Sequence, residues 1–311
     1  MFNKVGTKAL LLVLVVLAGL YLLADRYSLR SQDRTFRQYV VQVDTGAVVG
    51  LTLHPRSMEG EPLHLSRTEE GWSVTGPEGR AYRADAALVH GILGQVAMLP
   101  AERMIGGILL VGERHELTDS LRNRAVFHLV DGDSVVLDIG RSTFAPSGTG
   151  SWTYVHVPGE KDVFATPGTL QMEADRALTD WRPTQLVRGE ATDLVRLTFT
   201  FPGDTGYVME RRGQDWLIDG QPCDGGRVER FVESLVRSKA RGFQDDADVT
   251  GVQPSHRLTV VDTTRSTPIV VTVYPWNGGF VVTSTQNPGE VMTFDAFREL
   301  PRMFREKSAF L

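Results

Sequence analysis

Cysteine is nearly absent from the sequence: among 311 residues there is only one, Cys223. A single thiol cannot form an internal disulfide, and no second thiol exists to complete a zinc site or a dithiol redox pair. Disulfide-scaffolded and thiol-redox proteins are therefore excluded. The compartment stays undecided by this count, because many bacterial envelope proteins also contain one cysteine or none.

An excess of positive charge is also lacking, since 33 Lys and Arg residues are set against 38 Asp and Glu residues, for a net charge of -5. Domains that bind nucleic acid usually carry a strongly basic face, so we expect no nucleic-acid partner. The 41% hydrophobic and 23% charged content is typical of a folded globular chain. The length exceeds that of one average domain.

Long hydrophobic runs are missing except at the start, where residues 9–24 read ALLLVLVVLAGLYLLA without a charge. As a helix this run spans about 24 Å, and residues 5–7 with a snorkelling Lys8 extend it to the thickness of a bilayer. We predict a membrane anchor over residues 1–27. Its apolar residues are Ala9, Leu10, Leu11, Leu12, Val13, Leu14, Val15, Val16, Leu17, Leu20, Leu22 and Leu23.

The alternative interpretation of this segment is a cleaved secretory signal, which needs small residues at both key positions before the cut. Ala24 fits one position, but Leu22 fits the other poorly. We therefore favour an uncleaved anchor. Both interpretations place the body of the protein outside the cytoplasm.

The charges that flank the run do not agree with this orientation. Arg26, Arg30, Arg34 and Arg37 follow the run, whereas only Lys4, Lys8 and the terminal amine precede it. Taken alone, this count favours the reverse topology, but long downstream domains translocate largely regardless of charge. We expect a single-pass protein of the inner membrane with its body on the extracytoplasmic side.

Short β-type runs bounded by turn residues dominate the chain after an arginine-rich linker at residues 28–39. They alternate or run apolar with β-branched residues and are separated by turn signals such as Asp131-Gly132-Asp133. The clearest runs are residues 48–54, 62–67, 71–76, 125–130, 134–140, 153–157 and 162–166. This pattern predicts antiparallel meanders.

Helical periodicity appears in three places. Apolar residues recur at steps of three and four in residues 85–99 and again in residues 226–240. A third helix is expected at residues 294–304. Each of the first two would pack one apolar face on a sheet.

The order of these elements repeats along the chain, which indicates a tandem duplication. The first copy contains two strands, a turn, a strand with Trp72, and a helix that begins after Asp85. The second copy has the same order, with Trp216 and Asp224 at the equivalent positions. We predict an α+β fold of two repeated modules of antiparallel β-sheet with covering helices. The modules span residues 40–180 and 194–311, with a joint at residues 181–193.

Catalytic and calcium-binding motifs are matched only in part. The segment GWSVTG at residues 71–76 is one residue too long for the motif Gly-x-Ser-x-Gly and lies within a predicted strand. Asp246, Asp248, Thr250 and Gly251 begin like a calcium loop, but the twelfth position is Arg257 instead of a bidentate glutamate. We predict no catalytic, cofactor-binding or metal-binding residues, and hence a protein that is not an enzyme.

Two pairs of histidines are candidates for metal ligands. His54 and His64 are placed to approach across a hairpin, and His128 and His156 are placed on neighbouring strands. A pair without a third ligand is more often a structural feature of a strand than a metal site. The same reasoning applies to the aromatic residues Trp72, Trp216 and Trp152, which are either binding or core residues. The repeated placement of the first two favours the core.

Several segments together resemble the bacterial family called domain of unknown function 4340. They are EEGWSV with Asp85, QDWLI with Asp224, the VVLDIG strand, the YVHV to DVFAT hairpin, and KARGFQDD. The resemblance covers essentially the whole body and supplies no catalytic residues. It implies an N-terminal membrane span and an auxiliary role beside an ABC-type export permease or a gliding-motility-type auxiliary protein. This implication is associational.

We therefore expect a non-catalytic, membrane-anchored accessory or adaptor protein whose partner is an ABC permease or an auxiliary membrane protein. The alternative is an envelope module that binds peptide or glycan in the groove between the two repeats. An envelope hydrolase stays open as a third hypothesis. The adaptor hypothesis predicts buried tryptophans and an apolar patch near the anchor, whereas the binding module predicts exposed aromatic side chains.

Overall fold

The structure, a computed structural model, describes Leu17 and residues 37–144, 150–203 and 205–311. The described residues divide into two compact units, unit 1 ending at Trp181 and unit 2 spanning residues 182–311. Apart from Leu17, the predicted anchor lies outside the described residues. A search of the described part of the chain finds no helix with the length and hydropathy needed to cross a membrane.

Unit 1 is built on a nine-stranded antiparallel sheet with the order β5-β4-β3-β2-β8-β9-β10-β11-β7. A separate two-stranded sheet pairs β1 with β6. The strands are β1 (Tyr39–Gln42), β2 (Val48–His54), β3 (Leu63–Thr68), β4 (Gly71–Thr75), β5 (Ala81–Arg83), β6 (Met98–Pro100), β7 (Arg103–Gly107), β8 (Asn123–Leu129), β9 (Ser134–Phe144), β10 (Ser151–His156) and β11 (Asp162–Pro167). The α-helices are α1 (Ala86–Val96), α2 (Ile108–Val111) and α3 (Leu170–Ala174), and short 3-10 turns lie at Arg56–Met58 and Leu178–Trp181.

The core of unit 1 lies between one face of this sheet and α1. Alternate residues of the central strands, among them Leu51 in β2 and Leu65 in β3, are buried on that face, as the two-residue period of a strand requires. Helix α1 buries Val89, Ile92, Leu93 and Val96, which recur at the spacing of one helical face.

Unit 2 has a second nine-stranded antiparallel sheet, with the order β15-β14-β13-β12-β17-β18-β19-β20-β16. The strands are β12 (Leu194–Phe201), β13 (Thr205–Arg212), β14 (Asp215–Ile218), β15 (Gln221–Pro222), β16 (Gly242–Phe243), β17 (His256–Asp262), β18 (Ile269–Trp276), β19 (Gly279–Ser284) and β20 (Met292–Phe294). The α-helices are α4 (Gly225–Leu235) and α5 (Leu300–Met303), and 3-10 turns lie at Ala191–Asp193 and Lys307–Phe310. Of the predicted joint at residues 181–193, Leu186 and Val187 lie in the core of this unit.

The two sheets have the same strand order, strand for strand. Strands β2, β8, β9, β10, β11 and β7 of unit 1 correspond to β12, β17, β18, β19, β20 and β16 of unit 2. Helices α1 and α4 each contain 11 residues and begin after an aspartate that caps the helix, Asp85 and Asp224. The predicted β-rich α+β class and the two aspartate helix starts are confirmed.

The predicted helix at residues 294–304 is wrong for most of its length. Met292–Phe294 forms β20, and only Leu300–Met303 is α-helical. The Asp295 carboxylate accepts the backbone N–H groups of Phe297 and Arg298, each at 2.8 Å. Such local side-chain bonds compete with a helix, which here starts only near Pro301, a residue suited to a first turn.

The other two predicted helices are confirmed but end early. After α1, residues 98–100 form β6, where Leu99 pairs with Val41 of β1. After α4, Ser238 and Ala240 hydrogen-bond through their backbones to Leu186 and Thr184 instead of continuing the helix. In both units, the residues that follow the helix hydrogen-bond to an extended segment, which is β1 in unit 1 and residues 184–186 in unit 2.

Candidate functional site

The repeat-equivalent tryptophans are core residues of their units. Trp72 in β4 is 5% exposed, and the guanidinium of Arg67 lies 5.3 Å from the centre of its ring. Trp216 in β14 is 3% exposed, and its backbone carbonyl accepts the Cys223 thiol at 3.1 Å. Both side chains are almost fully removed from solvent, as core residues are.

Trp152 differs from the other two tryptophans. It is half-buried in β10, and its indole N–H donates to Glu102 Oε2 at 2.8 Å. Strands β3, β2, β8 and β9 separate it from Trp72 in the sheet. The structure therefore brings no aromatic pair together from these two residues of unit 1.

The histidines of unit 1 meet in a different combination from the predicted pairs. Thr52 Oγ1 lies 3.2 Å from His64 Nδ1 and 2.9 Å from His128 Nε2, so one hydroxyl joins the two rings. His54 instead contacts the carbonyl of Gly60 at 3.0 Å. Within the described residues, no three His, Cys, Asp or Glu side chains are arranged to hold a metal ion.

His156 belongs to a buried cluster around the Asp138 carboxylate, which is 4% exposed. Asp138 accepts Arg124 Nε at 2.7 Å and lies 3.0 Å from Arg122 Nε and 3.5 Å from His156 Nδ1. Cross-strand pairing sets this row, because Arg124, Asp138 and His156 are direct partners on β8, β9 and β10. His156 Nε2 faces the carbonyl of Glu160 at 3.0 Å.

The corresponding row of unit 2 lacks this chemistry. The matching partners on β17, β18 and β19 are Arg257, Thr272 and Thr283. The shared topology thus does not require the Asp138 cluster. Two guanidinium groups bind the carboxylate, which makes the cluster a clamp on the start of β8.

Among the described residues of unit 1, the most exposed apolar side chains lie on one short helix. Leu109 is 98% exposed and Leu110 is 88% exposed, both on α2, and Met104 of the preceding strand is 45% exposed. We call Leu109 and Leu110 the leucine turn. Adjacent large apolar residues at this exposure are unusual on a surface that contacts only water.

The leucine turn is held rigidly at its base. The backbone N–H of Ile108 donates to the carbonyl of Lys161 at 2.8 Å, and Gly112 N–H closes the turn on the carbonyl of Ile108 at 2.8 Å. A Cβ on Gly112 would lie 2.6 Å from that carbonyl oxygen, so only glycine fits there. The turn is therefore a built feature of the fold.

The chain that follows the leucine turn packs against the sheet. The ring of His115 lies 3.9 Å from that of Tyr154, and the backbone carbonyl of His115 accepts the N–H of Arg141 at 3.1 Å. Burial lowers the pKa of His115, and the charges of Arg141 and Arg114 lower it further. The ring is thus neutral at neutral pH.

The point where the described body begins lies beside the base of the leucine turn. Arg37 forms an ion pair with Glu160, donates to the backbone carbonyls of Tyr39 and Val40, and stacks 5.5 Å from the centre of the Phe164 ring. Glu160 and Lys161 are consecutive residues. One two-residue segment of the β10–β11 turn therefore holds both the entering chain and the leucine turn.

The sequence analysis did not single out the leucine turn. The run IGGILLVG contains only apolar residues and glycines, and such a run is typical of a buried strand. The flanking glycines were the one local signal of a tight turn. Exposure of Leu109 and Leu110 depends on contacts far along the chain, which the local pattern does not contain.

Comparisons with known proteins give one match. The model of the family described as Domain of unknown function (DUF4340) matches residues 72–255. No curated protein matches the chain. No solved structure matches it either.

Proposed function

The chain belongs to the family described as Domain of unknown function (DUF4340), and we propose that it is a membrane-anchored, non-catalytic adaptor. In this proposal residues 9–24 cross the inner membrane and hold the body on the extracytoplasmic side. The body docks on an ABC-type permease or on an auxiliary membrane protein of the same transport system. The partner class comes from the family resemblance, and the docking surface comes from the structure.

The observation that carries the proposal is the position of the leucine turn beside the start of the body at Arg37. Twelve residues, 25–36, separate Arg37 from the apolar run. They span about 18 Å as a helix and about 40 Å when extended. At that distance from the bilayer, the leucine turn can contact the segments of a membrane protein that protrude from the membrane.

Burial of the leucine turn against a partner would contribute to the free energy of binding. Full burial of a leucine side chain stabilises a complex by about 1.5–3 kcal/mol, so the two contribute about 3–6 kcal/mol before the costs of association. Exposed apolar patches of this kind commonly mark protein–protein contacts. The adaptor hypothesis also required buried tryptophans, and Trp72 and Trp216 are buried.

The cargo-binding alternative predicts exposed aromatic side chains in the groove between the two repeats. Trp72 and Trp216 do not match that prediction, because 95% or more of each side chain is removed from solvent. Two of the three candidate aromatic residues, Trp72 and Trp216, therefore do not support the alternative, and the exposed leucine turn supports the adaptor proposal.

The proposal is tested by co-purification of the tagged full-length chain from crosslinked membranes of its native cells. Wild-type protein is compared with the double variant Leu109→Ser, Leu110→Ser and with Val130→Ser, a control at a 72% exposed apolar residue of the same unit. We expect a permease or auxiliary subunit to co-purify with the wild type and the control, and to be lost with the double variant. Equal recovery with all three proteins, or recovery of no transporter subunit, would reject the proposed docking.

The anchor is tested separately in the same membranes. Leu14→Arg places a charge at the centre of the apolar run, where a charged residue costs about 3 kcal/mol, and Ser28→Arg adds the same charge outside it. We expect the first variant to become extractable by alkaline carbonate and the second to stay with the membrane pellet. Carbonate extraction of the wild type would show that the run is no anchor.

A further inference from the structure

Unit 2 contains a strongly basic cavity that the proposed function does not use. Five cationic side chains, those of Arg230, Arg237, Lys239, Arg302 and Arg305, line a cavity of about 560 Å³. The cavity lies between α4, the chain that follows it, and the region around α5. Its volume lies within the range of sites that hold small organic ligands.

The single carboxylate in the lining does not neutralise these cations. Glu299 accepts Arg241 Nε at 2.8 Å and also the backbone N–H of Asp295, and Arg241 is not part of the lining. The charge of Glu299 is thus matched from outside the cavity. Glu299 therefore does not neutralise the cationic side chains of the lining.

Three of the five cations, Arg230, Lys239 and Arg302, form no ion pair with any residue that the structure describes. Arg237 pairs with the exposed Glu233 at 3.4 Å, and the guanidinium of Arg305 lies 5.5 Å from the centre of the Phe231 ring. Five like charges around one cavity repel one another, and an anion in their midst removes that repulsion.

The fold itself does not require this charge. Helices α1 and α4 have the same length and begin at equivalent capping aspartates, so their positions correspond one to one. Where α4 has Arg230, α1 has Gly91. Unit 1 forms a sheet of the same strand order and a helix of the same length without a basic residue at that position, and the whole chain has a net charge of -5.

The other residues that line the cavity include two apolar side chains and two serines. Phe294 and Met303 are buried, at 4% and 2% exposure, and form an apolar floor. Ser234 and Ser238 direct their hydroxyl groups onto backbone carbonyls of α4. Guanidinium groups bind phosphate oxygens in pairs of hydrogen bonds, which a phosphate or diphosphate group can accept from several arginines at once.

We propose that this cavity binds the phosphate or diphosphate group of a small ligand, with Arg230 and Arg302 as the principal contacts. The organic part of the ligand rests on Phe294 and Met303. Two sources share this chemistry, a soluble phosphorylated compound and the head group of an anionic lipid. The inference is independent of the adaptor proposal, because no residue of the leucine turn takes part.

The test is calorimetric titration of inorganic pyrophosphate into the full-length protein in a neutral detergent. The double variant Arg230→Gln, Arg302→Gln removes the two principal contacts. The matched control, Arg212→Gln with Arg257→Gln, removes two exposed arginines of unit 2 outside the cavity. We expect binding that weakens with salt, a loss of at least about tenfold in the cavity variant, and a change of less than about twofold in the control.

The source is distinguished by repeating the titration in nanodiscs of phosphatidylcholine and of phosphatidylglycerol. Head-group binding predicts weaker apparent pyrophosphate affinity in phosphatidylglycerol, whereas a soluble ligand predicts equal affinity in both. Both results support the cavity. The inference is overturned if the wild type does not bind pyrophosphate, or if the cavity and control variants lose affinity equally. Thermal unfolding midpoints of all variants check that each is folded.

Discussion

Asp85 and Asp224 occupy the same position in the two units, 139 residues apart, and each caps the helix that covers its sheet. The Asp85 carboxylate accepts the N–H of Ala87 at 3.0 Å, and the Asp224 carboxylate accepts the N–H of Arg227 at 3.0 Å. A side-chain acceptor at this position satisfies a donor that the first turn leaves free. The repeated aspartate in the sequence is therefore explained by the need of each unit to cap the first turn of its helix.

Removal of either cap is expected to destabilise the protein to a similar extent. We predict that Asp85→Ala and Asp224→Ala each lower the free energy of unfolding by about 1 kcal/mol. Asp85→Asn and Asp224→Asn retain an acceptor and serve as controls with smaller losses. Urea denaturation followed by circular dichroism measures all four. Alanine variants as stable as their asparagine counterparts would show that the caps are not used.

Truncation of the equivalent tryptophans should have large and similar effects. We predict that Trp72→Ala and Trp216→Ala each cost about 3–5 kcal/mol, because each empties a large volume in a packed core. Trp152→Ala is the control, since that ring is half-buried and makes one hydrogen bond to Glu102. Denaturation midpoints of the three variants measure the difference. A Trp152 variant as unstable as the other two would contradict the core assignment.

The contacts of Asp138 predict that the negative charge of this side chain, and not its shape, stabilises the fold. Asp138→Asn keeps the size of the side chain but leaves Arg122 and Arg124 without their shared carboxylate. Loss of one partner of a buried ion pair costs about 3 kcal/mol. Asp133→Asn, at an exposed turn residue, is the matched control. If the two variants unfold at the same urea concentration, the cluster does not hold the start of β8.

His256 predicts a pH dependence of the stability of unit 2. Its ring lies among those of Phe201, Phe280 and Phe304, with centres 5.0–6.4 Å away. Burial lowers the pKa of His256 below its ordinary value of 6.5. Below that value the unfolded chain takes up a proton that the folded unit resists, so stability is lost as pH falls.

The measurement is the urea midpoint of unfolding at pH 7.5 and pH 5.5 for the wild type and for His256→Gln. We expect the wild type to lose more stability on acidification than the variant, which has no proton to take up at this position. An equal or larger loss in the variant would assign the pH dependence to other groups.

Much of the fold follows from local sequence patterns. The strand at residues 48–54 and the helix after Asp85 are set by alternation, helical period and capping, which are local properties. The pairing of β2 with β8 brings Leu51 against Phe127 across more than 70 residues. No local pattern specifies such a contact, and the nine-strand order was therefore beyond the sequence analysis.

The candidate surfaces were harder to predict for the same reason. The sequence pattern places Arg230 and Arg237 on a solvent-exposed helix face. They line one cavity together with Arg302 and Arg305 only because a segment about 70 residues later packs beside that helix. Leu109 and Leu110 read as buried residues because they are apolar. Patterns report polarity along the chain, but exposure and convergence are properties of the packed unit.

The most direct test of the adaptor proposal places a photo-crosslinking amino acid at Leu110 of the full-length chain in its native cells. Val130 carries the same group in a control chain. We predict that ultraviolet light joins the chain to an ABC permease or auxiliary membrane subunit from position 110 and not from position 130. A lipid adduct alone from position 110, or identical products from both positions, would contradict the proposal that the leucine turn docks on a transport partner.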